Sequence, residues 1–158
     1  MNLPGINRAR MALWKSRVEG IVRDPPGSDL PEEPKASDHN VRFTRASTWS
    51  IVCEEVLDTQ FSHAYFQSAH AELNRRGISD AEIQEMRRIA WLTAGWLNYE
   101  CLLWDWVSLD ENDIHRAIEK QFAEGFITEA ERDRWTEFVR RYEPTGPPPD
   151  GPAYNARS

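Results

Sequence analysis

The spacing of apolar residues predicts a chain built from α-helices. One amphipathic stripe follows the i, i+3, i+4 and i+8 positions of a helix over about residues 110–124: Ile114, Ala117, Ile118 and Phe122. A second stripe runs through about residues 128–142: Trp135, Phe138, Val139 and Tyr142. Both segments are therefore expected to be surface helices with one side packed on a core.

The segment from about residue 79 to residue 109 differs, because its second half is apolar almost all the way round. When the run is drawn as a helix, five large aromatic residues point in several directions: Trp91, Trp96, Tyr99, Trp104 and Trp106. The run is nearly long enough for a membrane span, but Asn98, Glu100 and Asp105 interrupt it and are costly in lipid. We therefore expect a central helix covered by other helices, with these three polar residues buried beside partners.

Helix boundaries are indicated by three capping motifs of the Ser/Thr-x-x-Glu type. The motifs begin at Ser79, Ser108 and Thr128, and Gly77 and Gly125 stand just before two of them. A glycine there ends the preceding helix in a left-handed conformation. With a further helical pattern in the first half, four helices are predicted, at about residues 45–76, 79–109, 110–124 and 128–142.

Proline-rich segments flank this helical region. Residues 24–40 contain four prolines among acidic and small residues, which predicts an extended linker because proline interrupts helices and central strands. Residues 144–158 contain five prolines and are interpreted as a tail. The predicted fold is all-α: a bundle of four or five helices over residues 41–143 around a Trp-rich central helix.

Residues 1–23 form a basic segment, with five basic residues against one acidic residue. In a helix one side would be apolar: Met11, Trp14, Val18, Ile21 and Val22. A second apolar flank contains Ile6 and Leu13 but is interrupted by Arg10 and Arg17. Three alternatives remain open: a frayed terminus, a helix docked on the body, and a segment with a membrane-surface or transit-like role.

Length and charge narrow the class of protein. The chain has 158 residues, which fits one domain, and the Pro-rich linker suggests that the body folds without residues 1–40. With 19 basic and 26 acidic residues, for a net charge of -7, the chain lacks the basic balance typical of nucleic-acid binding. Sixteen of the basic residues are arginine, a bias that GC-rich coding produces and that favours a bacterial or phage origin.

The two cysteines, Cys53 and Cys101, are too few for a disulfide scaffold and too far apart in sequence for a close metal pair. Residues 1–23 also lack the apolar run of a secretory signal. We therefore expect a reducing, cytoplasmic setting. If residues 45–76 and 79–109 form an antiparallel hairpin that turns at Gly77, the two thiols lie level, close together and buried.

The common catalytic motifs are missing. The sequence contains no Glu-x-x-His, no His-Glu-x-x-His, no Gly-x-Ser-x-Gly and no phosphate-binding glycine loop. His63 and His70 share a helix face, but two turns separate them by about 10 Å. A row at i, i+4 and i+8 has the chemistry to bind a metal or act as a general base, although such rows ordinarily form surface ion pairs: Glu111, His115 and Glu119.

Seven tryptophans in 158 residues exceed ordinary usage. Most are expected in the core and some at an interface, because tryptophan is frequent at binding hot spots. The interface candidates are Trp14, Trp96, Trp104, Trp106 and Trp135. The sequence therefore predicts a non-catalytic helical interaction protein, without cofactor, that binds a larger protein through an acidic, Trp-bearing surface. A homo-oligomer stays open, and the alternative is a small helical metal-binding protein or enzyme that uses carboxylates with His63, His70 or His115.

Overall fold

A computed structural model describes residues 3–26, 43–57, 62–101 and 108–145. Within these ranges the chain is helical and has no strand, so the all-α class is confirmed. The described α-helices are α1 (Pro4–Arg23), α2 (Thr48–Cys53), α3 (His63–Arg75), α4 (Asp80–Ala90), α5 (Trp96–Tyr99), α6 (Glu111–Ala123) and α7 (Glu129–Arg140). A 3-10 turn at Glu54–Val56 follows α2, and a π-helical segment at Trp91–Gly95 joins α4 to α5.

Helix α1 is part of the hydrophobic core. Its inner side chains Met11, Trp14 and Val18 are buried, and α1 contacts both α4 and the π-helical segment. The indole N–H of Trp14 donates to the carbonyl of Trp91 at 3.1 Å. Docking on the body is therefore the alternative that the structure shows for this segment. A body that lacks α1 would expose the core residues that α1 covers, and the expected folding of the body without residues 1–40 stays a prediction.

The predicted helix over residues 45–76 is wrong in its middle, because the chain leaves the helical conformation after the 3-10 turn. Leu57 is extended, with φ -72° and ψ 134°, and Ser62 begins α3 by accepting a hydrogen bond from the N–H of Tyr65 at 3.2 Å. Helices α2 and α3 are thus separate elements. The hydroxyl of Ser62 provides a local cap that apolar periodicity does not reveal.

This break also invalidates the predicted register of the thiols. Helix α2, which ends at Cys53, packs against α4. Cys101 lies about ten residues beyond the end of α4, so the two cysteines are not level. Cys53 is buried beside acidic residues at the start of α6, whereas Cys101 is only partly buried and lies near Lys120 towards its end. Thirteen residues of α-helix span about 20 Å, so the thiols face opposite ends of α6.

The predicted helix over residues 79–109 ends early and is not regular. Glu100 is the C-terminal cap of α5, and Ser108 and Leu109 are not helical. The π-helical segment in between has two carbonyls that accept side-chain donors, Trp91 from Trp14 and Leu92 from Gln121 at 2.7 Å. Side chains from α1 and α6 thus satisfy backbone groups in this irregular stretch.

Two of the three predicted capping motifs are confirmed. Ser79 and Thr128 each exchange hydrogen bonds with the glutamate three residues later, and Gly77 and Gly125 have the expected positive φ. The motif at Ser108 is wrong, because Asp110 caps α6 and pairs with Asp113. A carboxylate accepts from two N–H groups and also interacts favourably with the helix dipole.

The predicted linker and tail lie almost entirely outside the described residues, which include only residues 24–26 of the first and 144–145 of the second. None of the helices in the described ranges has the length and apolar character needed to cross a bilayer.

Candidate functional site

The structure places three of the tryptophan candidates in the core. Trp14, Trp96 and Trp135 are each at most 4% exposed, and Trp96 packs edge-on against Phe126. Side chains this buried offer no surface to a partner. Trp104 and Trp106 lie outside the described residues, as does Asp105, so for these the sequence-based interpretation stays a prediction.

The remaining polar candidates of the apolar segment have different surroundings. Asn98 is buried, and its side-chain amide donates to the carbonyl of Val56 at 3.1 Å. Glu100 instead lies at the surface, because α5 ends at Tyr99 and the chain turns there. The expected burial of Glu100 followed from a helix that continues to residue 109, which the structure does not form.

The acidic and histidine row on α6 is divided among separate partners. Glu111 accepts a hydrogen bond from the hydroxyl of Ser47 at 2.8 Å, His115 pairs with Glu143, and Glu119 is exposed. Across the described ranges, no three His, Cys, Asp or Glu side chains come together in a way that would hold a metal ion.

The two histidines of α3 are also engaged one by one. The Nε2 atom of His63 lies 2.9 Å from the side-chain nitrogen of Gln67, and Nε2 of His70 lies 2.8 Å from a carboxylate oxygen of Asp80. The aspartate belongs to the first turn of α4. These are local surface contacts, and they do not combine the two imidazoles into one site.

A groove of about 920 Å³ lies where the starts of α2 and α6 meet the ends of α3 and α7. Several of its polar side chains are hydrogen-bonded within the fold. The guanidinium of Arg76 donates to the hydroxyl of Thr48 and to the carbonyls of Phe43 and Ala46. Each of these contacts joins one chain segment to another, as a structural network does.

Neither cysteine is an activated nucleophile. Burial raises the pKa of the Cys53 thiol well above its ordinary value, and nearby carboxylates raise it further. Burial also raises the pKa of Cys101. A reactive cysteine ordinarily has a lowered pKa and access to solvent, and the raised pKa of both thiols is the opposite of that pattern.

Among the described residues, the clearest exposed apolar surface is on one face of α1. The exposed large apolar side chains of the described residues are Leu3, Ile6 and Leu13, at 51%, 56% and 74% exposure. At 100° per residue Ile6, Arg10, Leu13 and Arg17 fall within about 60° of one another, and Leu3 is the N-cap residue of the same helix. We call these five residues the α1 outer face.

Each of the two arginines of the α1 outer face lies within cation–π distance of an aromatic ring. The guanidinium of Arg10 lies over the ring of Phe126 at 5.6 Å, and that of Arg17 lies over the ring of Trp14 at 5.7 Å. Both arginines also lie 3.9 Å from the carboxylate of Glu100. The face therefore combines exposed apolar area with positioned positive charge.

The α1 outer face was not predicted from the sequence, because the interface candidates were chosen among the tryptophans. Ile6 and Leu13 were recognisable as a second apolar flank of the first helix, interrupted by Arg10 and Arg17. Which of the two flanks would be covered depends on what α1 packs against, and that contact is tertiary.

No protein-family model, curated protein or solved structure matches this chain. The function therefore has to be argued from the geometry and charge of its own residues.

Proposed function

We propose that the protein is a non-catalytic, helical-bundle interaction protein whose α1 outer face binds an acidic amphipathic helix of a larger protein. The single observation that supports this most is the position of Leu13, which is 74% exposed on a helix whose opposite side is core. Exposed apolar side chains gathered on one face are typical of interaction sites.

The charge of the face indicates the chemistry of the partner. Arg10 and Arg17 share the face with the three apolar residues, and no acidic residue of α1 lies among them. A complementary helix would present apolar side chains to Ile6 and Leu13 and carboxylates to the arginines. The proposed surface is thus basic and apolar, unlike the acidic, Trp-bearing surface expected from the sequence.

A second copy of the chain is a poorer fit for this face. A two-fold dimer would place the same patch on both sides of the interface, so the arginines of each copy would face a patch that is itself basic. Like charges across an interface oppose association.

An anionic lipid surface or a nucleic acid is also disfavoured. Both would attract the basic face, but the chain as a whole has a net charge of -7, and its summed field opposes the approach of an extended polyanion. A single acidic helix meets only the local positive patch.

The alternative of a metal-binding protein or enzyme has less support. Glu111, His63, His70 and His115 have separate partners, and the described residues hold no cluster suited to a metal.

The proposal is tested with a defined probe, a fluorescein-labelled amphipathic peptide of about 18 residues with leucines at helical spacing and flanking glutamates. A second peptide carries lysines in place of the glutamates. We expect the anisotropy to rise with the acidic peptide only, and the binding to weaken with added salt. Leu13→Asp should lower the affinity for the acidic peptide at least about tenfold, as expected for the loss of a central apolar anchor.

Ala12→Asp is the matched control, because Ala12 is exposed on the same helix but lies about 100° from Leu13. It adds the same charge and should leave binding unchanged. Equal losses in both variants, or equal binding of both peptides, would contradict the proposal. Binding of the protein to vesicles rich in phosphatidylserine, with no binding of the acidic peptide, would assign the face to a membrane instead.

A further inference from the structure

Glu100 lies where its carboxylate reaches both arginines of the α1 outer face. One oxygen is 3.9 Å from Arg10 and the other is 3.9 Å from Arg17. The two guanidinium groups, which start two helical turns apart, thus converge on one carboxylate. The N–H of Glu100 bonds to the carbonyl of Trp96 at 2.9 Å, so its backbone is anchored at the end of α5.

Both contacts are loose ion pairs. Charge-assisted hydrogen bonds are ordinarily about 2.7 to 2.9 Å long, and these contacts are about 1 Å longer. The side chains of Arg10 and Arg17 are 55% and 69% exposed, and that of Glu100 is 32% exposed. Exposed pairs of this kind contribute little to stability, and another carboxylate can replace Glu100 without disturbing the core.

We propose that Glu100 is a built-in competitor for the partner, and that a carboxylate of the bound acidic helix displaces it from Arg10 and Arg17. This inference rests on the proposed function of the α1 outer face. In the free protein Glu100 reduces the positive charge that the face presents. Binding then exchanges one carboxylate for another, so the affinity for acidic helices is lower than the arginines alone would give.

The anchoring of the arginines supports an exchange of this kind. The rings of Phe126 and Trp14 lie against the guanidinium groups of Arg10 and Arg17, and both rings are buried. The arginines therefore keep a position over the core whether or not Glu100 stays beside them. The movement that binding requires is confined to the side chain of one surface glutamate.

The experiment compares Glu100→Gln with the unaltered protein, using the acidic peptide and the same anisotropy assay. We expect Glu100→Gln to bind the peptide about two- to fivefold more tightly, the range that the strength of exposed ion pairs implies. Glu137→Gln is the matched control, because Glu137 is also exposed, pairs with Arg141 at 3.3 Å on α7 and changes the net charge equally. In an Arg10→Gln, Arg17→Gln background the gain from Glu100→Gln should disappear.

The outcomes separate the two proposals. If the unaltered protein binds the acidic peptide but Glu100→Gln leaves the affinity unchanged, the competitor role is wrong and the docking face stands. If Glu137→Gln strengthens binding by the same factor, net charge explains the effect and the competitor role is again wrong. If the unaltered protein does not bind the acidic peptide, the docking face itself fails and this inference fails with it.

Discussion

Replacing Glu72 with glutamine should remove a pH-dependent part of the stability. Glu72 accepts two hydrogen bonds from Arg75, both at 2.7 Å, and one from Arg76 at 2.9 Å. Its side chain is only 8% exposed. The hydrogen bonds from Arg75 are the main cause that lowers the pKa of Glu72 from 4.5 to about 2. The bond from Arg76 lowers the pKa further, and burial opposes both effects.

The magnitude follows from this pKa difference. A shift from 4.5 to about 2 at about 1.4 kcal/mol per pKa unit corresponds to at most roughly 3 to 4 kcal/mol of unfolding free energy. Arg75 is 65% exposed, and solvent screening of its charge reduces the expected contribution to about 1 to 2 kcal/mol. Because the folded-state pKa is lowered, this stability is present above pH 4.5 and is lost as the pH falls towards 2.

The assay is urea unfolding followed by tryptophan fluorescence, since the described tryptophans are buried. Glu72→Gln should lower the unfolding free energy by about 1 to 2 kcal/mol at pH 7 and by less than about half of that at pH 3. Glu137→Gln, an exposed member of a surface pair, should change it by less than about 0.5 kcal/mol at either pH. An equal loss for Glu72→Gln at both pH values would refute the ion-pair explanation, because altered packing has no such pH dependence.

Two further pairs of variants test the backbone of the fold by the same unfolding assay. Gly95→Ala places a methyl group 2.9 Å from the ring of Trp91 and should lower the unfolding free energy by about 1 to 3 kcal/mol. The methyl group of Gly20→Ala meets nothing within 4 Å, and this variant should raise the unfolding free energy by about 0.5 to 1 kcal/mol. An unchanged unfolding free energy for Gly95→Ala would contradict the tight contact between residue 95 and the ring of Trp91. Asp110→Ala should lower the unfolding free energy by about 1 kcal/mol because Asp110 caps α6, whereas Ser108→Ala should lower it by less than about 0.5 kcal/mol. The reverse order would show that Ser108 is the cap, as the sequence motif predicted.

The features that the sequence determined by itself are those that depend on residues three or four apart. Ser79 and Thr128 begin helices because each side chain reaches an N–H within its own first turn. Gly77 and Gly125 end helices because a residue without a Cβ enters the left-handed region at low cost. The stripes over α6 and α7 also followed from a local period, which explains why these helices lie where they were expected.

Tertiary packing decided which faces are covered. The same local rules permit a continuous helix from residue 45 to residue 76, yet Leu57 is extended and α2 packs against α4. Trp14 and Leu13 are neighbours in sequence, and only the contact of α1 with α4 makes one of them core and the other exposed. The α1 outer face, and the approach of Glu100 to its arginines, exist because elements nearly ninety residues apart in the chain meet there, and no local pattern encodes such a meeting.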